Sequence, residues 1–260
     1  VVVVHGDTRS GPEGFGTFGS RSVALGGSAL QQVAVEVREK GRRIAARLLE
    51  AAVPDVIGVP GGFQVTGVPQ RRVLWREVAV AAYAGGHALP PGDTPGLEAT
   101  TYFQPDAEVW TFGAIVCAIR IEAETGRLVI ERLVWVDDAG TIINPLLAEG
   151  QLHGSLAQGL GQALMEEIVY DADGQLVTGT LMDYAIPRAD DVPPVLIEKT
   201  CTPSPRNPLG AKGVGEAGCI GIPPAVVNAA VDALAPLGIT HLDMPLTPAR
   251  LWAALRDAKR

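Results

Sequence analysis

The sequence predicts an α+β fold in which mixed sheets pack against helices. Three observations point there. Stretches with helical spacing and stretches of β-type follow one another in mixed order, without the regular alternation of a βαβ series. The 260 residues are 47% hydrophobic and only 19% charged, which suits a packed core and excludes a disordered chain. Glycine and proline number 31 and 20 and are spread through apolar stretches, as tight turns and close backbone approaches require.

The elements follow in order. Residues 1–4, four valines, read as a buried strand running into a turn at His5-Gly6-Asp7-Thr8. A Gly- and Ser-rich loop over 11–27 leads into a helix over 29–52, with Leu30, Val33, Val37, Ile44, Leu48 and Leu49 at helical spacing and Pro54 ending it. A hairpin-like stretch spans 56–65 around Pro60-Gly61-Gly62, a second helix spans 75–84, and 85–96 is loop. Strands follow at 97–104, 113–122 and 127–137, the last two joined across Glu124-Thr125-Gly126. A helix of small residues is expected over 147–167, a hairpin at 171–174, a strand over 195–202 and a glycine-rich loop over 207–221. Pro223-Pro224 opens a helix to 234, and Thr247-Pro248 starts the last, to 258. We divide the chain into residues 1–100 and 101–260. It lacks an initiator Met and a basic leader, so residues 1–100 are expected to begin mid-domain, with any targeting signal upstream.

Charge and composition exclude several functions. With 21 basic and 29 acidic residues the net charge is −8, the wrong sign for a general nucleic-acid binder. No apolar run approaches the roughly 18 to 20 residues of a membrane span. Cys117, Cys201 and Cys219 are far apart, which suits reduced thiols in the cytoplasm. His5, His87, His153 and His241 are scattered, so no zinc or haem site built from side chains is expected.

Three glycine-rich segments carry the candidate chemistry. In residues 14–22, GFGTFGSRS, alternating glycines expose backbone N–H groups, and Ser20, Arg21 and Ser22 add side-chain donors just before a helix. That suits an anion such as a phosphate; a structural loop whose serines cap the helix is the alternative. In residues 150–163, GQLHGSLAQGLGQA, the small residues allow either close helix packing or the approach of a large flat ligand, with Gln158 a two-way hydrogen-bonding group. A dinucleotide fold is not the reading of this second segment, because no Gly-x-Gly-x-x-Gly follows a strand with an acidic residue about 20 positions on. In residues 207–218, NPLGAKGVGEAG, Glu216 is a lone carboxylate in an apolar, glycine-lined loop. Such a setting suits a buried general base. An ion pair with Lys212, or a carboxylate at a helix start, are the alternatives.

GTFGSRS (16–22), GSLAQGLGQALMEE (154–167), the run NPLGAKGVGEAGCIGIPPAVVNAAVDAL (207–234) and the ending MPLTPARLWAAL (244–255) together resemble the molybdenum-binding large subunit of the xanthine dehydrogenase and aldehyde oxidase family, the molybdenum hydroxylases. The likeness is greatest to bacterial carbon monoxide dehydrogenase-like large subunits. It implies the molybdopterin-binding type of α+β domain and a molybdenum ion held by the dithiolene of a molybdopterin, often the cytosine dinucleotide, with no protein side chain on the metal. By motif, Gly19, Ser20, Arg21 and Ser22 would contact the pterin and its phosphate, Gln158 would sit by the oxo ligand, Lys212 would lie near the cofactor, and Glu216 would be the catalytic glutamate. The implied reaction is hydroxylation of an aldehyde or N-heterocycle with water-derived oxygen. Electrons would leave through iron–sulfur clusters and FAD on two partner subunits, small and medium. The family's large subunit is longer, so the upstream part of the subunit is itself an expected partner, and a fragment that binds no cofactor alone is the competing reading. Gly-Glu-Ala-Gly here replaces the Gly-Glu-Pro-Pro of xanthine-oxidising members, which argues against purines.

Overall fold

The computed structural model describes residues 2–11, 13–84 and 89–258, and shows the α+β class that the sequence predicts. His87 and the rest of 85–88 lie outside the described residues. The chain forms two compact units, one of Leu25–Gln104 and one of Val1–Ala24 with Pro105–Arg260.

The smaller unit carries α1 (Ser28–Leu48), the antiparallel sheet β1-β2-β3 (Val56–Val59, Gly62–Val65, Val68–Leu74) and α2 (Trp75–Ala84). Its core joins Ile44 and Ala45 of α1 to Val56, Phe63 and Val73 of the sheet and Val78 of α2. Phe63 and Trp75 meet edge to face with centroids 4.7 Å apart. Gly41 is obligatory there, since a Cβ would lie 2.6 Å from the Trp75 ring. β3 was not expected: VPQRRVL carries Pro69 and two arginines, and only Val73 is buried. It forms because β2 needs a second neighbour to satisfy its backbone.

The larger unit is built on β4 (Phe112–Ile121), β5 (Leu128–Asp138) and β6 (Val195–Lys199), with α3 (Pro145–Leu164), α4 (Ala217–Leu234) and α5 (Pro248–Ala258). β4 pairs antiparallel and β6 parallel with β5. Leu133 and Trp135 of β5 face Leu152, Leu156 and Leu160 of α3 and Ile222, Val226 and Ala230 of α4, all buried. Asn144 caps α3 by accepting the Leu147 N–H, and Pro145 follows at the first helical position.

The small residues of α3 serve close packing on α4. A Cβ on Gly159 would lie 2.8 Å from the Gly218 carbonyl oxygen and from Cβ of Ile222, and one on Gly218 would lie 2.5 Å from Ser155. The Gly218 N–H also donates to Ser155 Oγ at 3.2 Å. This contact explains two departures from expectation. α4 starts at Ala217, not at the prolines, because its first turns are held against α3; Pro223 and Pro224 lie inside it, where tertiary contact overrides propensity. With the turn after it, the stretch Ala217–Leu237 is also long and apolar enough to cross a membrane by length and composition alone. Ile222, Val226, Ala230 and Leu234 form a buried stripe in the core, while most of the stretch is not buried.

Two expected strands are absent. Val2, Val3 and Val4 are 89, 73 and 64% exposed and unpaired, and residues 97–104 are irregular. Strand propensity needs a neighbouring strand to act on, and neither stretch has one among the described residues.

The odd-numbered face of β5 that buries Leu133 and Trp135 continues to Asp137, which is 2% exposed and whose Oδ1 has no hydrogen-bond partner among the described residues. Burial, and then the adjacent Asp138 charge, push its carboxyl up to about 6 against the pull of Lys199 and Lys212. A carboxyl raised in the folded state stabilises the fold while protonated, and that contribution is lost as pH rises from about 4 through about 6. Asp137→Asn should therefore raise the melting temperature above pH 7, by on the order of 1–2 kcal/mol of stability, with the gain vanishing near pH 4; calorimetry across that range checks it. Gly159→Val should cost about 2 kcal/mol or more through overpacking of α3 on α4, read by chemical denaturation.

Candidate functional site

Two glycine-rich loops meet in the larger unit. The first, residues 14–22, has left-handed backbone at Gly16, Gly19 and Ser20, the last a non-glycine residue at φ +52°. Backbone in that region at a side-chain-bearing residue is costly and persists where its surroundings hold it. Ser20 is held by Glu216. Its Oγ accepts the Glu216 N–H at 2.9 Å and donates to Glu216 Oε2 at 2.8 Å. Thr17 and Ser22 share a hydroxyl–hydroxyl bond of 2.8 Å. Arg21 folds back, its guanidinium 3.7 Å from the Phe18 ring centroid and donating to the Gly16 carbonyl at 3.1 Å. The N–H groups of residues 15–19 make no hydrogen bond among the described residues, and a Cβ on Gly14, Gly16 or Gly19 would meet nothing within 4 Å. This loop presents open donors, as an anion site requires.

The second loop, residues 207–216, is anchored at Asp138, where β5 leaves the sheet. Lys212 Nζ lies 2.9 Å from Asp138 Oδ1 and 4.1 Å from the Phe112 ring centroid, with the lysine side chain 5% and the aspartate 1% exposed. The same oxygen accepts the N–H of Gly140 at 3.0 Å and of Thr202 at 3.2 Å, and Oδ2 accepts Thr200 Oγ1 at 3.1 Å. Burial alone would push this carboxyl up; the Lys212 ammonium and the surrounding donors outweigh it and hold it well below the usual range. Asn207 closes the loop from within, donating to the Ala211 carbonyl and accepting the Ala211 N–H.

From that anchor the loop threads between Ser20 and α3. A Cβ on Gly213 would lie 2.8 Å from Ser20 Cβ, and one on Gly215 would lie 2.7 Å from Gln151 Oε1 and 3.3 Å from Ser20 Oγ. Gly213 is required by its approach to Ser20, whereas Gly215 is closely approached mainly by the flexible end of Gln151. Val214 packs against the core, and the turn over residues 215–216 leaves Glu216 exposed at the start of α4. The burial expected for Glu216 is thus corrected. Of the two alternatives for it, the Lys212 ion pair is not formed, because Asp138 holds that ammonium; the helix-start position is occupied, without a side-chain cap. Cys219, one turn on, donates its thiol to the Glu216 carbonyl at 3.1 Å, and burial, then the Glu216 charge, raise the thiol above its ordinary range.

The structure brings Gly19, Ser20, Arg21 and Ser22 into the loop that meets Glu216. Lys212 enters through its backbone and its buried pair, with its charge already compensated. Gln158 is exposed on α3, two turns or about 10 Å along from Gln151. Gln151 is the glutamine beside the Glu216 loop. It lies four residues before Ser155, whose Oγ accepts the Gly218 N–H, on the α3 edge facing the start of α4; no signal in the sequence singled it out. Among the described residues no group of three or more His, Cys, Asp or Glu is gathered to hold a metal ion.

Residues 1–193 match the model of the molybdopterin cofactor-binding domain. The chain is 40% identical over 257 residues to the carbon monoxide dehydrogenase large chain of Hydrogenophaga pseudoflava, covering 99% of this chain and 32% of that one. It is 36% identical to the nicotine 6-hydroxylase large subunit of Paenarthrobacter nicotinovorans, covering 98% and 31%. Among solved structures, quinoline 2-oxidoreductase from Pseudomonas putida 86 superposes with a TM-score of 0.85 at 40% identity, covering 96% of this chain and 32% of that one. The reconstituted carbon monoxide dehydrogenase from Oligotropha carboxidovorans gives 0.86 at 38%, covering 97% and 31%. The chain spans about a third of the length of the curated relatives it matches. On the family match and the shared fold, the chain belongs to the molybdopterin cofactor-binding domain family.

Proposed function

We propose that the chain is the C-terminal part of the large subunit of a molybdenum hydroxylase, with Glu216 as its general base. The observation that carries this reading is the meeting of the 14–22 loop, Gln151 and Glu216, joined by the two Ser20–Glu216 hydrogen bonds. The residues fit a pterin cofactor: open backbone donors over 15–19 and the hydroxyl of Ser22 suit its polar edge and phosphate. When bound, the cofactor supplies two-electron redox chemistry at molybdenum. The chain's own part is to hold that group by loop donors and to take a proton with the Glu216 carboxylate, which is exposed and immobilised through Ser20.

The substrate class we favour is an N-heterocycle or aldehyde, hydroxylated with oxygen from water. Relatives named for nicotine and quinoline support the heterocycle. The cofactor is proposed as the cytosine dinucleotide form, with electrons leaving to iron–sulfur clusters and FAD on a small and a medium subunit. Relatives named as a large subunit and as subunit gamma of a complex support partner chains. Lys212 acts through the loop it anchors.

In the complete assembled protein, Glu216→Gln should retain molybdenum, measured by elemental analysis, while turnover falls by about a thousandfold or more; retained turnover overturns the assignment. Lys212→Met should destabilise the fold by about 3–5 kcal/mol by leaving Asp138 buried and unpaired. Unchanged stability with loss of molybdenum would instead make Lys212 a direct cofactor ligand.

A further inference from the structure

We infer that the Ser20 side chain is the positioning residue for the Glu216 carboxylate. This deepens the proposed function and rests on it: the motif resemblance gives Ser20 to the cofactor, whereas its hydroxyl is turned to the carboxylate. The hydroxyl has one proton and two lone pairs. The proton goes to Glu216 Oε2 and one lone pair takes the Glu216 N–H. Both ends of the same residue are therefore tied to a single atom from 196 positions earlier in the chain.

Three further features support this clamp. Ser20 holds a left-handed conformation, φ +52°, which aims its side chain at the second loop at a backbone cost that an ordinary loop serine does not carry. Gly213 and Gly215 clear the approach, since a Cβ at either would press on Ser20. No other side chain donates to the Glu216 carboxylate among the hydrogen bonds of the described residues. An exposed glutamate otherwise samples several rotamers, and a fixed general base needs one. Ser20 supplies the constraint without touching substrate.

The test uses Ser20→Ala and Ser20→Gly in the complete assembled protein. Alanine keeps the backbone cost and glycine relieves it, but both lack the hydroxyl. Hydrogen–deuterium exchange should show faster exchange in the peptide spanning residues 213–219 in both variants, because the Glu216 N–H loses its acceptor. Molybdenum content should be unchanged. The single-turnover rate of reduction by substrate should fall roughly tenfold, with the substrate dissociation constant within twofold. In a Glu216→Gln background the Ser20 substitutions should cost nothing more in rate, since the two act as one unit. Unchanged exchange, loss of molybdenum in both variants, or a Ser20 rate effect that persists undiminished beside Glu216→Gln would each overturn the inference. Its failure is distinguishable from that of the proposed function: a fully active Glu216→Gln enzyme sinks the latter, whereas an inactive one with active Ser20 variants sinks only the clamp.

Discussion

Asp138 takes its place at the point where β5 leaves the sheet, and its two oxygens gather four donors from three parts of the chain: Gly140, Thr200, Thr202 and the ammonium of Lys212. A carboxylate 1% exposed is affordable only when its charge and lone pairs are answered, and here both are. The consequence is geometric. The 139–141 turn, the end of β6 and the 207–216 loop are fastened to one group, and Lys212 also bonds through its backbone to Ala139. Everything from Lys212 to the start of α4 then has a fixed origin. Asp137, one residue earlier, shows the contrasting case: equally buried, lacking those donors on Oδ1, it holds its proton to about pH 6.

From that origin the path to Glu216 is set by missing side chains. Gly213 and Gly215 allow the loop past Ser20 and Gln151, and Gly218 and Gly159 allow α4 onto α3. Ser155 links the two helices at that crossing by accepting the Gly218 N–H. The first turn of α4 is thus fixed from the α3 side and the loop from the Asp138 side. Glu216 lies where these two constraints meet, at the joint between loop and helix.

Local signals explain which parts of this were legible in the sequence. The β4–β5 hairpin was marked by Glu124-Thr125-Gly126 and α5 by Thr247-Pro248, and both formed close to their expected bounds. Residue type singled out the glycine loops and Glu216 as candidates, but not the exposure of Glu216 at the start of α4, which depends on neighbours distant in the chain. The Asp138–Lys212 pair was not, because it spans 74 positions and has no period. β3 was hidden by Pro69, Arg71 and Arg72, and the start of α4 by the prolines within it, since in each case packing overrules propensity. Gln158 drew attention through the small residues Ala157 and Gly159 beside it, whereas Gln151 lies beside the 207–216 loop on the helix edge that Ser155 shares.

The two loops differ in how firmly they are held, and this bears on cofactor loading. The 207–216 loop is tied to a buried ion pair. The 14–22 loop is exposed, carries a strained Ser20, and is tied to the second loop through the two bonds of Glu216. A ligand that takes up the open donors of residues 15–19 would add contacts to the less firmly held loop, so its binding free energy would order that loop as well as seat the ligand. The firmer loop carries the carboxylate and keeps its origin in either case. On this reasoning the backbone of the proposed general base is built into the fold, while its carboxylate, held through Ser20, and the surface proposed to receive the cofactor would gain their final rigidity together.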